Sequence, residues 1–198
     1  KKFNRLTYFY IQPNNQLPSL YSKNFTIKKD ILDSEPFEWD KLNQNTNTVI
    51  YDIAFNNPDI EVVVKCKFQD FEDCKQKFSK LGKIPKNLKM IYGNSAISLI
   101  SISDVICSFN STSIIEAAVA GKIVISPIFD EVKDINFKKY IIDFGELSIK
   151  ANSKSELKDL ILYHLRKSEY PEDSISSNDL DVINYWTSNT DGNASSKL

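Results

Sequence analysis

Short apolar runs alternate along the chain with segments whose apolar residues recur at helical spacing. Runs such as IEVVVKC and KIVISP are rich in β-branched residues, which is typical of buried strands. The pattern predicts six strands, over residues 5–11, 60–66, 88–93, 104–109, 122–127 and 140–149. It predicts helices over residues 39–55, 71–81, 95–103, 111–121, 153–168 and 179–186.

Several predicted helices carry terminal signals. A serine cap at Ser95 begins the third, Gly82 closes the second, and Ser153 stands three residues before Glu156, which is the spacing of a capping box. Segment 39–55 is less regular, because its NQNTNT stretch is a poor helix former although its apolar residues suit one face of a helix.

Strands and helices alternate with connections of only a few residues, so we expect a parallel sheet with helices on both faces. The predicted fold class is therefore α/β, a Rossmann-like open parallel sheet. We take residues 1–198 as a single domain, with a loop-rich segment at 12–38 and a polar tail at 187–198. No GxGxxG or GxxxxGK[ST] loop is present, which argues against a dinucleotide enzyme or a P-loop NTPase.

Composition narrows the class of partner. The formal net charge of −1 gives no electrostatic basis for binding nucleic acid. No apolar stretch approaches the roughly 18–20 residues of a membrane span. The three cysteines, Cys66, Cys74 and Cys107, are odd in number and lack metal-site spacing. We expect them to be buried, reduced thiols of a cytoplasmic protein that holds no metal.

The most informative stretch is CSFNSTSIIEAAVAGKIVISP, residues 107–127. Residues 110–113 lie where a predicted strand meets a predicted helix, and helix starts at the carboxyl edge of a parallel sheet attract phosphate. Thr112 and Glu116 are four residues apart and share one side of that helix, so Glu116 is placed to accept hydrogen bonds from a ribose. The same spacing has a second interpretation: Ser113-x-x-Glu116 is itself a capping box that needs no ligand.

Other polar residues are more ambiguous. Tyr92 and Gly93 follow a predicted strand and would either border a nucleobase or form a simple turn. Asp70 and Asp73 suit a solvated helix start. The pair at 130–131 would either approach a sugar or belong to a polar loop. His164, the only histidine, lies within a predicted helix, and we expect a surface residue and not a catalytic base.

The segment SDVICSFNSTSIIEAAVAGKIVISP resembles the donor-binding segment of GT-B glycosyltransferases, particularly those that build bacterial capsule and other surface polysaccharides. Shorter likenesses in NPDIEVVVKCK and DGNAS extend the resemblance over about residues 57–195. It implies one half of a GT-B fold, the C-terminal, donor-binding half. It also implies that the serine and threonine region meets the donor phosphates and that the glutamate meets the ribose. The residues concerned are Asn110, Ser111, Thr112 and Ser113 for phosphate, Glu116 for ribose and, more distantly, Tyr92 and Gly93 for the base.

One position departs from the family pattern. These transferases often carry Lys-x-His-Pro after the second strand, where this chain reads Lys65-Cys66-Lys67-Phe68. If the histidine assists the departing phosphate, Lys65 or Lys67 must replace its charge. The usual catalytic base belongs to an N-terminal half that this sequence does not contain.

The resemblance thus implies a domain that binds a nucleotide sugar as substrate, without a cofactor, in an enzyme that transfers the sugar to a glycan or lipid-linked acceptor. We expect it in the cytoplasm or peripherally at the inner membrane face. Two alternatives stay open: a CDP-glycerol or sugar-phosphate transferase of the teichoic-acid type, and a non-catalytic Rossmann-like interaction module.

Overall fold

The computed structural model describes residues 4–13, 38–167 and 183. Its six strands form one sheet in the order β3-β2-β1-β4-β5-β6, and every neighbouring pair is parallel. This confirms the predicted Rossmann-like open sheet. The strands are β1 (Asn4–Phe9), β2 (Ile60–Lys65), β3 (Leu88–Ile91), β4 (Val105–Cys107), β5 (Ile123–Pro127) and β6 (Ile149–Ala151).

Helices cover both faces of the sheet. Side chains such as Leu42, Phe78 and Ile161 pack with one set of strand residues, and Ile100 and Ile114 pack with the set that points the opposite way. None of the helices described is both long and apolar enough to cross a bilayer. They are α1 (Asp40–Asn56), α2 (Phe71–Leu81), α3 (Ala96–Ile102), α4 (Ser113–Val119) and α5 (Lys154–Arg166), with 3-10 turns at Phe68–Asp70, Asp130–Lys133 and Lys138–Tyr140.

Helix α1 forms despite its polar sequence. Asn43 is fully buried, and its side-chain amide donates to the Ile11 carbonyl at 2.5 Å. Its Oδ1 accepts from the Asn47 amide at 3.0 Å and from the Lys77 ammonium at 3.1 Å. These contacts satisfy polar groups that would otherwise oppose burial, so the helix packs in spite of low propensity.

The predicted strand over 140–149 is wrong for most of its length, since β6 begins only at Ile149. The alternate residues Tyr140, Ile142 and Phe144 are buried, which produces the period of two that suggested a strand. The backbone of this segment instead pairs with a side chain: Asn110 donates to the Tyr140 carbonyl at 3.0 Å and accepts from the Ile142 N–H at 2.7 Å.

Two of the three predicted helix-terminal signals are observed, and the third is not. Gly82 ends α2 at φ 145°, and the Ser153 hydroxyl accepts from the Glu156 N–H at 3.1 Å, as predicted. Ser95 makes no capping hydrogen bond through its side chain. All three cysteines are buried and free. Residues 14–37, the polar tail at 187–198 and the predicted helix at 179–186 lie outside the described residues, apart from Ile183, which is buried.

Candidate functional site

A cleft of about 270 Å³ opens at the carboxyl ends of β1, β2 and β4. From β1 the chain builds β2 and β3 to one side and then returns to place β4 on the other side of β1. The cleft therefore lies at the point where the strand order reverses, which is where open α/β sheets bind ligands. Its walls come from residues 9–12, 65–67 and 109–113, with Trp39, Ala96 and Glu116.

The structure brings most of the predicted site residues into this cleft. Residues 110–113, Glu116 and Lys65 all line it. Tyr92 and Gly93 do not. The Tyr92 ring instead packs edge to face against Phe71, with ring centroids 4.6 Å apart, and against Phe68 at 5.3 Å.

Three serine hydroxyls form a chain from the core to the cleft. The Ser108 and Ser113 hydroxyl oxygens are 2.8 Å apart, and both residues are buried. Ser113 donates its hydroxyl proton to Ser111 Oγ at 3.0 Å, and its backbone N–H is 3.3 Å from the same oxygen. Because Ser111 Oγ accepts in both contacts, its own proton can be donated into the cleft. Ser113 therefore positions Ser111, and as a buried residue it contributes little surface to the cleft that it lines.

The start of α4 contradicts the capping-box interpretation. Thr112 occupies the cap position with helical dihedral angles, φ −59° and ψ −21°, and makes no capping hydrogen bond through its side chain. The Glu116 N–H bonds to the Thr112 carbonyl at 3.2 Å and not to a serine hydroxyl. Thr112 and Glu116 both line the cleft, and the Thr112 side chain makes no hydrogen bond to the start of the helix.

Asn110 shapes the wall of the cleft. Its backbone is left-handed, with φ 51°, a conformation that asparagine tolerates better than most residues. Both ends of its amide are engaged by the backbone of residues 140 and 142. A phosphate would have to break these bonds to use the side chain, so we regard Asn110 as a residue that positions the loop.

Two lysines bring positive charge to the cleft. The Lys65 ammonium donates to the Cys66 carbonyl at 3.0 Å, and the Lys67 ammonium donates to Gln12 Oε1 at 3.0 Å. Sequence reasoning placed Gln12 at the edge of a loop-rich segment and missed its role. One signal was its position directly after the predicted strand over residues 5–11.

The two acidic residues at the start of α2 were expected to be solvated, but both accept hydrogen bonds from other side chains. Asp70 accepts a hydrogen bond from the Gln12 side-chain amide, and Asp73 accepts from the Tyr10 hydroxyl at 2.8 Å. Both carboxylates therefore tie α2 to the segment that follows β1. Since this segment forms one wall of the cleft, α2 helps to fix the shape of the site.

The cleft is lined by both charged and apolar side chains. Desolvation raises the pKa of the Glu116 carboxyl above its ordinary value, because protein atoms surround part of this side chain. Trp39 and Phe109 meet edge to face, with ring centroids 5.2 Å apart, and form an apolar wall. His164 lies on α5 and does not line the cleft.

No protein-family model matches this sequence, and no curated protein is detectably similar to it. Solved structures do resemble it in three dimensions. UDP-GlcNAc 2-epimerase from Neisseria meningitidis, solved with UDP-GlcNAc bound, aligns with a TM-score of 0.51 and 12% sequence identity over 86% of this chain and 40% of its own. The ADP-heptose LPS heptosyltransferase II of E. coli aligns with a TM-score of 0.51 and 10% identity over 83% of this chain and 47% of its own.

The chain thus spans less than half the length of either enzyme. At such low identity the likeness concerns the arrangement of strands and helices. It shows that this chain has the Rossmann-like fold that both of these enzymes contain.

Proposed function

We propose that this chain is the nucleotide-sugar-binding domain of a GT-B glycosyltransferase and that it holds the donor in the cleft at the carboxyl ends of β1, β2 and β4. One observation carries the proposal: the point of strand-order reversal gathers hydroxyl donors, a lysine and a carboxylate in one cleft. Ser111, Thr112 and Lys65 suit a diphosphate, and Glu116 suits the hydroxyls of a ribose.

Different residues of the cleft suit different parts of the donor. Hydroxyl and ammonium groups that are already oriented stabilise negative charge on a departing phosphate without reorganising. Glu116 lies one helical turn beyond Thr112, about 5–6 Å away along the helix surface. This offset suits a ligand whose phosphate and ribose are adjacent.

The rest of the enzyme lies in a second Rossmann-like domain. Since the chain spans under half of the epimerase and of the heptosyltransferase, we propose that an N-terminal half supplies the catalytic base and binds the glycan or lipid-linked acceptor. The sequence resemblance supports a role in bacterial surface-polysaccharide synthesis. Residues 1–198 are accordingly proposed to be a single donor-binding domain.

Nucleotide binding tests the proposal directly. Calorimetry and thermal-shift measurements with UDP, CMP, CDP and GDP should find at least one that binds the chain. A ligand that binds only the folded state raises the melting temperature, and its stabilisation grows as RT ln(1 + [L]/Kd). If no nucleotide gives heat or a thermal shift, the chain is a non-catalytic module and the donor site is wrong.

Glu116→Gln gives a sharper test. The substitution keeps the size of the side chain and removes the charged acceptor. Affinity for the nucleotide should fall about tenfold, because hydrogen bonds to charged groups contribute about 1.5–3 kcal/mol. The matched control is Glu146→Gln, whose side chain is 83% exposed and does not line the cleft. Unchanged affinity in Glu116→Gln removes Glu116 from the site.

A further inference from the structure

Three polar side chains form a hydrogen-bonded chain across one side of the cleft. Asp70 accepts from the amide nitrogen of Gln12, and Gln12 Oε1 accepts from the Lys67 ammonium at 3.0 Å. Gln12 follows β1, Lys67 follows β2, and Asp70 lies at the start of α2. Gln12 and Lys67 both line the cleft.

The chemistry of Asp70 gives the Gln12 amide one orientation. An ionised carboxylate can only accept hydrogen bonds, so it must face the amide NH₂ group. The amide oxygen then points the other way and meets an ammonium, which can only donate. Asp70 makes no capping hydrogen bond with α2 and is available for this contact.

Lys67 is not paired with a carboxylate in this arrangement. Its partner is a neutral amide, and no carboxylate among the described residues forms an ion pair with it. Two of its three N–H donors are left for a ligand. The Lys65 ammonium instead donates to a backbone carbonyl, that of Cys66, and no second side chain orients its acceptor.

We propose that Lys67 binds the donor phosphate and that Gln12, oriented by Asp70, is the positioning residue that holds its ammonium at the cleft. The inference rests on the proposed function and refines it, since it assigns the phosphate charge to Lys67. A lysine side chain has high rotamer entropy. Because the Gln12 oxygen already holds the end of the Lys67 side chain, less conformational entropy is lost when a ligand binds. Gln12 itself touches no substrate in this assignment.

The experiment compares nucleotides with their parent nucleosides. Calorimetry would measure UDP, CDP, GDP and CMP beside uridine, cytidine and guanosine, for the wild type and for Lys67→Met, Lys67→Arg and Gln12→Met. Loss of a charge-assisted contact predicts about 10- to 100-fold weaker nucleotide binding in Lys67→Met, with nucleoside binding unchanged. Arginine should restore most of the loss. Lys80→Met, an exposed lysine on α2 outside the cleft, is the charge-matched control.

Gln12→Met removes both polar groups at nearly constant length. We expect about threefold weaker nucleotide binding from this variant, and no further loss when it is added to Lys67→Met, because the two residues act as one unit. Melting temperatures of all variants separate this effect from unfolding.

The outcomes separate the two proposals. If the wild type binds no nucleotide, the proposed function fails, and the role of Lys67 fails with it. If the wild type binds and Lys67→Met binds equally well, or loses nucleoside and nucleotide alike, only the assignment of Lys67 is overturned. If the losses in the double variant add, Gln12 is not a positioning residue.

Discussion

The Glu131 carboxylate accepts a hydrogen bond from the backbone N–H of Leu42 at 2.9 Å. Its second oxygen accepts from the Lys41 N–H at 2.7 Å. Both donors belong to the first turn of α1, where the residue at the cap position, Trp39, makes no capping bond through its side chain. Glu131 thus caps a helix 89 residues away in sequence, and both oxygens of its carboxylate accept hydrogen bonds there.

Glu131→Ala should lower the free energy of unfolding by about 1–2 kcal/mol, because it leaves helix-start N–H groups without their acceptor and removes a charge that complements the helix dipole. Urea unfolding monitored by circular dichroism measures the change. Glu146→Gln, at an exposed position, serves as control and should unfold like the wild type. Equal stability of Glu131→Ala and wild type would show that the cap contributes nothing.

Two glycines with positive φ should differ in their tolerance of alanine. At Gly82, φ is 145° and an added Cβ would lie 2.5 Å from the Tyr51 hydroxyl oxygen. At Gly121, φ is 65° and the added atom would meet nothing within 4 Å. Gly82→Ala should therefore cost about 3 kcal/mol and Gly121→Ala about 1 kcal/mol in urea unfolding. In a Tyr51→Phe background the cost at Gly82 should fall. If it does not, the clash with the hydroxyl is not the cause.

Ser113 and Thr112 are adjacent but should respond differently. Ser113→Ala breaks the buried hydroxyl chain and leaves Ser108 Oγ without its partner, which should cost about 1–2 kcal/mol of stability. Thr112→Val removes a hydroxyl that makes no capping bond, so stability should be kept while nucleotide affinity falls several-fold. Thermal unfolding and calorimetry on the same two variants test this. If Thr112→Val lowers the stability and Ser113→Ala does not, the two residues have the opposite roles.

Nucleotide affinity should depend on the ionisation of Glu116. The carboxylate accepts hydrogen bonds from ribose, whereas the protonated acid is a poorer acceptor, and desolvation keeps the proton bound to higher pH than usual. Affinity should therefore rise as pH increases through the raised pKa of Glu116. Calorimetry over a pH series, with the Glu116→Gln profile subtracted to remove phosphate ionisation, isolates this dependence. A difference profile that is flat would contradict it.

The same shift fixes a sign for stability. A carboxyl whose pKa is raised in the folded state favours folding when protonated, and that contribution is lost as pH rises through the raised value. Glu116→Gln should therefore be at least as stable as the wild type at neutral pH. Thermal unfolding at two pH values measures this difference in stability. It also shows whether the variant is folded under the conditions of the binding experiment.

Sequence pattern was a good guide wherever local periodicity and burial coincide. The segments 60–66 and 71–81 were predicted nearly to the residue, because β-branched runs and helical spacing are local properties. Segment 140–149 misled because the Asn110 amide replaces a neighbouring strand there, and a period of two in burial does not reveal what the backbone pairs with. The NQNTNT stretch looked unfavourable because its partners, Ile11 and Lys77, are distant in sequence.

The sequence by itself determined the α/β class, the succession of strands and helices, and the junction at 110–113 where a ligand site was expected, since each follows from residue spacing within one element. Only the tertiary structure decided which side chains meet. It buries the Ser113 hydroxyl beside that of Ser108 and brings the Glu131 carboxylate to the first turn of α1. It also joins Gln12 to Asp70 by a hydrogen bond across 58 residues of sequence. Such contacts depend on which strand ends the sheet order brings together, and that order is a property of the whole folded chain.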